Sequence, residues 1–527
     1  MGDPPRERAL GKAIVGPMIR TAALRFRDRE ALLCATTGRR FSYRRINERS
    51  NRLANALAGL GLRKPATVAF LCNNRAELVE TYYALAKTGL TGIPLNYRLA
   101  PAEIVALMRA MGADAMLFST RFVSSAEVVR AQLPNLRSFV AIGDDGPNWA
   151  VAYEALLADA SPDEPEVEVD EGDPYYFNLT SGTTGLPKSY LLTQYNNAQV
   201  GSMFEAFETT SRDVMMTVFP AFGRVGFAWI AAGVQFGARN VLTDFQPAEV
   251  LRLIESERVT IANLVPTMAA MLLAEPTLKT RDLSSLRGLV FAGAMFPEPL
   301  RLRVAAELCS NVYEYYGMQE TGTLTVSTPE DRRLHPESVG APLAFAEVHV
   351  ERPDGSVAPP GEIGEIVGRS PATCTAYFDN PAKSAETFRG GFVHTGDLGM
   401  MNEDGFLFIK GRLKDMIVTG GQNVHSAEVE EILMTAPGVV DCAVFGLPHE
   451  LWGEQVAALV VASSGAEPPT VEDLTAYCRE RLAGFKIPRS IHLQSDPLPR
   501  TPTGKVQKFL LVERFAHERP ERQAGLG

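Results

Sequence analysis

Residues Thr180–Ser189 read TSGTTGLPKS and follow an aromatic-rich, strand-like run, Tyr175–Leu179. Small residues in succession leave backbone N–H groups free to converge on an anion. The hydroxyls of Thr180, Ser181, Thr183 and Thr184 add donors, with Gly182 and Gly185 among them, and Lys188 adds charge. A Walker-type loop is GxxxxGK with a helix opening at the lysine. Here Pro187 stands in the place of the second glycine and has no N–H to donate. The stretch predicts a phosphate loop of another kind. A flexible surface turn is the plainer alternative, but a turn needs no run of four hydroxyls with a lysine.

Outward from that loop, helical and strand patterns alternate. Tyr43–Leu60 and Arg75–Thr88 carry helical spacing, and Ala66–Cys72 between them reads as a buried strand. Val250–Arg258 predicts a helix, and Ile261–Val265 and Leu286–Phe291 predict strands. Such alternation favours parallel α/β sheets with helices on their faces. Pro162–Asp173 holds seven acidic residues and reads as a solvated connector closed by Pro174. From Val339 the texture changes. Glu347–Arg352, Gly364–Arg369 and Phe406–Lys410 predict short strands between Gly, Pro and Asp turns, a β-rich layer closing a large unit. After Arg412–Asp415 a compact tail begins. Ser426 is placed to cap a helix with Glu428 and Glu430 in its first turn, ended by Pro437–Gly438. Strands at Val439–Phe445 and Val456–Ala462 and a helix at Val471–Leu482 follow. The expected division is a large N-terminal α/β domain, 1–412, and a small α+β domain, 413–527.

Composition agrees with a folded globular protein. The chain has 527 residues, 46% apolar and 22% charged, which excludes wholesale disorder, collagen and coiled coil. Its 52 Lys plus Arg against 62 Asp plus Glu give −10, the wrong sign for a broad nucleic-acid face. Cys34, Cys72, Cys309, Cys374, Cys442 and Cys478 lie far apart with no CxxC, and are expected to be buried and reduced. No apolar run approaches the ~20 residues of a membrane span. The short apolar patch within Met1–Arg25 is broken by Gly16, Pro17 and Arg20, unlike a secretory signal, so a cytoplasmic protein is expected.

At TSGTTGLPKS the chain resembles the adenylate-forming superfamily: acyl- and aryl-CoA ligases, adenylation domains of peptide synthetases, and luciferases. Further motifs fall in that family's order. Ala292–Met295 is similar to its adenine-binding strand end, and Tyr315–Glu320 (YYGMQE) to its YGxTE segment. Thr395–Asp397 (TGD), Gly411–Asp415 (GRLKD), Thr419–Asn423 (TGGQN) and Pro502–Lys505 (PTGK) follow. The resemblance implies that a carboxylate attacks the α-phosphate of ATP, pyrophosphate leaves, and CoA attacks the acyl-AMP to give acyl-CoA and AMP. It places Thr180–Gly185 and Lys188 on the phosphates, and Gly293, Ala294, Tyr316 and Gly317 around adenine. Gln319 falls at the α-phosphate, Asp397 and Arg412 at the ribose, and Glu320, with Thr184, at Mg2+. Lys505 would neutralise developing charge, a contribution worth about 10²–10³ in rate. Lys414 corresponds to a hinge about which the small, mobile domain rotates. Lys505 meets the ATP site in one pose; in the other Gly420 and Gly421 line a pantetheine tunnel, with Trp452 and Phe485 stacked on the CoA nucleotide. Read alone, Tyr316 is more often a core residue than a base platform, Lys505 is a solvated charge, and Trp452 and Phe485 are as readily packing groups inside the small domain.

Three positions depart from the family's text. Gln319 stands where threonine is common, and Gln194 replaces a histidine after Thr193. In Pro220–Gly226 (PAFGRVG), Gly223 replaces an aromatic-gate histidine. Losing that ring predicts a roomier acyl pocket for a bulky or medium to long acid, with Phe222, Val225, Phe227, Ala228, Met268 and Met318 as walls. The expected partners are a carboxylic acid, ATP and CoA, without nucleic acid or integral membrane segment, in a monomer or homodimer. Alternatives are an enzyme passing its acyl-AMP to a carrier protein, a luciferase-like oxygenase, and a non-catalytic nucleotide binder.

Overall fold

Two α/β sheets, one antiparallel sheet and a small α+β unit make up the computed structural model, which describes residues 12–136, 138–180, 188–294, 296–463, 468–500 and 506–516. The first sheet has seven strands in the order Val151–Ala152, Ser138–Ile142, Ala115–Ser119, Thr67–Leu71, Thr91–Pro94, Pro174–Thr180, Lys188–Thr193. It is parallel until its last pair, where Pro174–Thr180 and Lys188–Thr193 run antiparallel. The second has nine strands: six parallel ones at its centre, including Val214–Thr217, Ile261–Leu264, Gly288–Phe291 and Val312–Met318, with antiparallel strands at both edges. The expected parallel core is present, and the antiparallel edges qualify it.

One helix lies between these sheets. All thirteen residues of Ala76–Thr88 are buried, as befits a helix contacted on every side. Tyr82 packs tilted against Phe227 at 4.2 Å between ring centres and donates its hydroxyl to the Ala221 carbonyl at 2.9 Å. Each such ring contributes about 1.5–3 kcal/mol by burial. Glu80 on the same helix is held by Arg49 at 2.6 Å and the Tyr153 hydroxyl at 2.7 Å, the partners a buried carboxylate requires.

The third sheet, Glu347–Glu351, Gly364–Arg369, Phe388–Arg389, Phe392–Met401 and Leu407–Arg412, is the expected β-rich layer. Beyond the short 3₁₀ turn Leu413–Asp415, a five-stranded sheet and the helices Ser426–Met434, Val471–Arg479 and Lys508–Phe515 build the small unit around its own core. All six cysteines are buried and free. Among the described residues no helix is long and apolar enough to cross a membrane.

One local expectation is refined and one corrected. The acidic connector is solvated along most of its length, with Asp163, Glu166, Glu168 and Asp170 exposed, but it is also pinned to the domain as a strap. Glu164 accepts from the buried Lys87 at 2.6 Å and from Asn47 at 2.8 Å, and Asp173 pairs with Lys64 at 2.6 Å. The helices Tyr43–Gly59 and Ala76–Thr88 leave Asn47 and Lys87 for the strap to satisfy, and the loop after the first of them does the same with Lys64. Ser426 is not the cap of its helix. His425 occupies that position in extended backbone with no side-chain cap, and the Ser426 hydroxyl, already inside the first turn, accepts from Lys508 at 2.8 Å.

Candidate functional site

Ligand sites of open α/β sheets lie beyond the carboxyl ends of the strands. Four parallel strands of the nine-stranded sheet deliver predicted residues to that edge. Val214–Thr217 leads to Gly223, Ile261–Leu264 to Met268, Gly288–Phe291 to Gly293 and Ala294, and Val312–Met318 carries Tyr316 and ends before Gln319 and Glu320. The seven-stranded sheet adds its edge hairpin, in which Thr180 pairs directly with Lys188. The connection is strand to strand, not strand to helix, in agreement with the rejection of a Walker loop. Ser181, Gly182, Thr183, Thr184 and Gly185 lie outside the described residues, as do Met295 and Lys505 and the side chain of Thr180.

The turn after Tyr316 is the most densely held part of the site. Glu320 is 5% exposed, and Tyr377 donates to its Oε1 at 2.7 Å. The Lys188 ammonium lies 5.4 Å from the centre of the same tyrosine ring. Asn178 donates to the Gln319 side-chain oxygen at 2.7 Å, and the Tyr190 hydroxyl donates to the Gln319 carbonyl at 2.5 Å. Burial pushes the Tyr190 and Tyr377 hydroxyls well above the ordinary phenol range, so both remain donors. Gly317 must be glycine because a Cβ there would sit 2.0 Å from the Gly322 carbonyl oxygen.

A second corner comes from the antiparallel sheet. Asp397 and Arg412 are direct cross-strand partners and form an ion pair, with Arg412 Nε 3.0 Å from Asp397 Oδ1. Tyr316 donates to Asp397 Oδ2 at 2.8 Å. The predicted adenine ring platform and the predicted ribose carboxylate thus touch. Tyr316 is also 8% exposed and packs with Leu324, Val339 and Ile366, so its core reading holds as well. Burial, and then Asp397, push its hydroxyl well above the usual range.

Beyond Arg412 the surroundings change. Lys414 is exposed on its 3₁₀ turn. Gly420 and Gly421 form the two-residue loop of a hairpin, with φ of 57° and 76°. Such a loop demands positive φ at both positions, which accounts for the pair without a tunnel. Gly420 has a further constraint, since a Cβ would meet Trp452 Cε3 at 2.7 Å. Trp452 is 41% exposed and carries Arg489 5.1 Å from its ring centre, and Phe485 is 38% exposed with Lys486 5.8 Å away. Neither ring is fully taken up by packing.

The proposed acyl walls separate. Phe227 is a core residue, fully buried against Tyr82, Tyr175 and Tyr176, because the helix opening at Arg224 turns that position toward the first sheet. Val225 packs in the cluster around Phe204 and Trp229, and Ala228 is 9% exposed. Phe222 stays half-buried, edge-on to Tyr97 at 5.3 Å, and Met268 and Met318 are half-buried at the strand ends. Gln194 is fully buried, its oxygen accepting from the Val15 N–H at 3.1 Å and its nitrogen facing the Ala86 carbonyl at 3.4 Å; it ties the N-terminal helix to the core. Asn178, Tyr190, Arg224 and Tyr377 were not singled out from the sequence. A signal existed for two of them: Asn178 and Thr180, like Lys188 and Tyr190, are two apart on strands flanking the loop and share a face.

Comparison with known proteins places nearly the whole chain in one family. The model of the AMP-binding enzyme family matches residues 19–378, and that of the AMP-binding enzyme C-terminal domain matches residues 428–505. The chain is 32% identical over 498 residues to a fatty acid–[acyl-carrier-protein] ligase of Streptomyces coeruleorubidus, covering 92% of this chain and 93% of that one. It is 34% identical over 488 residues to a feruloyl-CoA synthase of an Amycolatopsis species, covering 91% and 94%. An anthranilate CoA ligase crystallised with anthranoyl-AMP superposes with a TM-score of 0.88 at 27% identity, covering 97% and 99%.

Proposed function

The chain belongs to the AMP-binding enzymes, in the acyl-CoA synthetase branch of the adenylate-forming superfamily, and from that premise we propose that it joins a bulky or medium- to long-chain carboxylic acid to CoA. ATP-dependent adenylation of an acid followed by CoA ligation is the family's reaction, and the chain is an AMP-forming acid–CoA ligase. The acid's size class rests on Gly223. A Cβ at that position would have one neighbour within 4 Å, the Pro220 carbonyl oxygen at 3.4 Å. A side chain could therefore start there without a clash, and glycine leaves that space to the acid.

In this reading Asp397 and Arg412 hold the ribose while Tyr316 fixes the carboxylate that does so. Lys188, and Lys505 from the small domain, carry positive charge to the phosphates, where negative charge accumulates as the acid attacks. Among the described residues no group of three His, Cys, Asp or Glu side chains could hold a metal by itself. Glu320 fits Mg2+ as a single hard carboxylate, one oxygen fixed by Tyr377, with phosphate and water to complete the shell. Mg2+ bound there would supply charge neutralisation across the phosphates. We place the domain junction at Arg412–Leu413, with Lys414 as hinge and Trp452 and Phe485 facing the CoA nucleotide.

Transfer to a carrier protein is the second reading. It is supported by the 32% identity to an acyl-carrier-protein ligase and by the hairpin geometry that explains Gly420–Gly421 without a tunnel. Mass spectrometry of products from ATP, Mg2+ and acids from acetate to aryl, long-chain and polycyclic, with CoA or a carrier protein bearing its phosphopantetheine arm, separates the two. Acyl-CoA from the larger acids is the expected result. Acyl-AMP that ignores CoA and loads the carrier establishes the second reading, and oxygen uptake with light would establish an oxygenase. Gly223→His should shift preference toward small acids; an unchanged size profile overturns the assignment of the pocket.

A further inference from the structure

Arg224 opens the helix that follows Gly223 and is 8% exposed. A buried guanidinium ordinarily requires a carboxylate. Here one terminal nitrogen donates to the Gln319 carbonyl and the other to the Ala372 carbonyl. The surrounding contacts show what this fork joins. The Gln319 carbonyl also accepts from the Tyr190 hydroxyl, the Glu320 carbonyl accepts from the Cys374 N–H at 2.9 Å, and the Thr321 carbonyl accepts from Ser370 at 2.7 Å and Thr373 at 3.2 Å. Three successive carbonyls of one turn are therefore gripped by neighbouring segments. Arg224 bonds both to that turn and to the 370–374 loop that clasps it. Its fixed planar fork suits the task, which a flexible ammonium would perform less well. Its charge also lies in the same buried region as Glu320: burial raises the Tyr190 hydroxyl, Arg224 pulls it down, and Glu320 pushes it up.

We propose that Arg224 is a positioning residue that clamps the Gln319–Thr321 turn to the Ser370–Cys374 loop, aiming the Glu320 carboxylate and the Gln319 amide at the nucleotide phosphates. The clamp enters from the helix next to the residue that leaves the acyl pocket open, so the acid pocket and the phosphate site share one support. This inference rests on the ligase reading, which sets Glu320 before the phosphates.

The test uses the full chain with Arg224→Met and Arg224→Lys. Binding of an α,β-methylene ATP analogue is measured by calorimetry with Mg2+ and with EDTA, alongside acid-dependent pyrophosphate–ATP exchange. R224M should bind the analogue in EDTA like the wild type but lose most of the Mg2+-dependent gain. Its exchange kcat should fall about 10–100-fold, the scale of a misplaced site group, with KM for the acid unchanged. R224K should recover part of both. If R224M retains the full Mg2+ gain and kcat, the proposal is overturned. It is equally overturned if KM for the acid rises while kcat stands, since Arg224 would then touch the acid. Thermal melting monitors folding; should R224M not fold, R224K decides, and wild-type values in R224K reject the clamp. A wild-type protein without acid-dependent exchange would reject the ligase reading instead, whatever the variants do.

Discussion

The turn that carries Glu320 and the hairpin that carries Gly420–Gly421 are both short connections with family motifs, and they are built in opposite ways. The first is buried, its carbonyls taken in sequence by Arg224, Tyr190, Cys374, Ser370 and Thr373. The second is exposed, its shape set by two positive φ angles and one aromatic neighbour, with no atom within 4 Å of a Cβ built at Gly421. Rigid placement at the proposed phosphate site suits a step that depends on fixed charges. A surface loop whose form depends on its own backbone suits a part that must meet a second substrate.

Alkaline pH should break this comparison most severely. Thirteen of the fourteen tyrosines precede residue 413, and burial raises Tyr43, Tyr82, Tyr83, Tyr153, Tyr175, Tyr176 and Tyr190 above the ordinary value. A raised folded pKa contributes fully below the unfolded value near 10 and is lost as pH climbs through the gap toward the folded value. By pH 11 each such phenol costs the folded state about 1.4 kcal/mol, and together they rival a typical stability of about 5–15 kcal/mol. The large domain should unfold between about pH 10 and 11 with a cooperative rise in tyrosinate absorbance, while the small domain, holding only Tyr477, stays folded by hydrogen exchange. Simultaneous loss of both would mean that the small domain depends on the large one.

Smaller effects sharpen the contrast. Glu320→Gln keeps an acceptor for Tyr377 and removes the charge, so pyrophosphate exchange should fall about 10²–10³-fold with little change in Tm. Gly420→Ala forces a left-handed residue at about 1–2 kcal/mol and brings a methyl toward Trp452. It should slow thioester formation about tenfold and leave exchange intact. An equal fall in exchange would show that the two sites are not separable. Trp452→Ala is the mildest: a partly exposed ring beside Arg489 is worth about 0.5–1 kcal/mol, so KM for CoA should rise a few-fold.

Much of this molecule was legible in its sequence, for identifiable reasons. Strand positions such as Thr67–Leu71 and Ile261–Leu264 follow from short apolar runs between helical periods, and the β-rich layer of Glu347–Glu351 and Gly364–Arg369 follows from the change in texture at Val339. The Asp397–Arg412 pair was named from motifs, and its antiparallel register made it a contact. Phe227 was misread because it follows Gly223 closely in sequence, while the helix rotates it into the opposite core. The pinning of the acidic strap was not legible because its partners, Lys64 and Lys87, lie 109 and 77 positions earlier than the carboxylates they meet.

By itself the sequence determined the order of the motifs, the periodicity of each element and the turns that glycine alone permits, because these depend on neighbours a few bonds away. Only the tertiary structure decided that Arg224, Tyr190, Tyr377 and Asn178 converge on the turn of Gln319 and Glu320. Periodicity tells which face a residue occupies on its own element, but the packing of elements distant in the chain decides what that face meets.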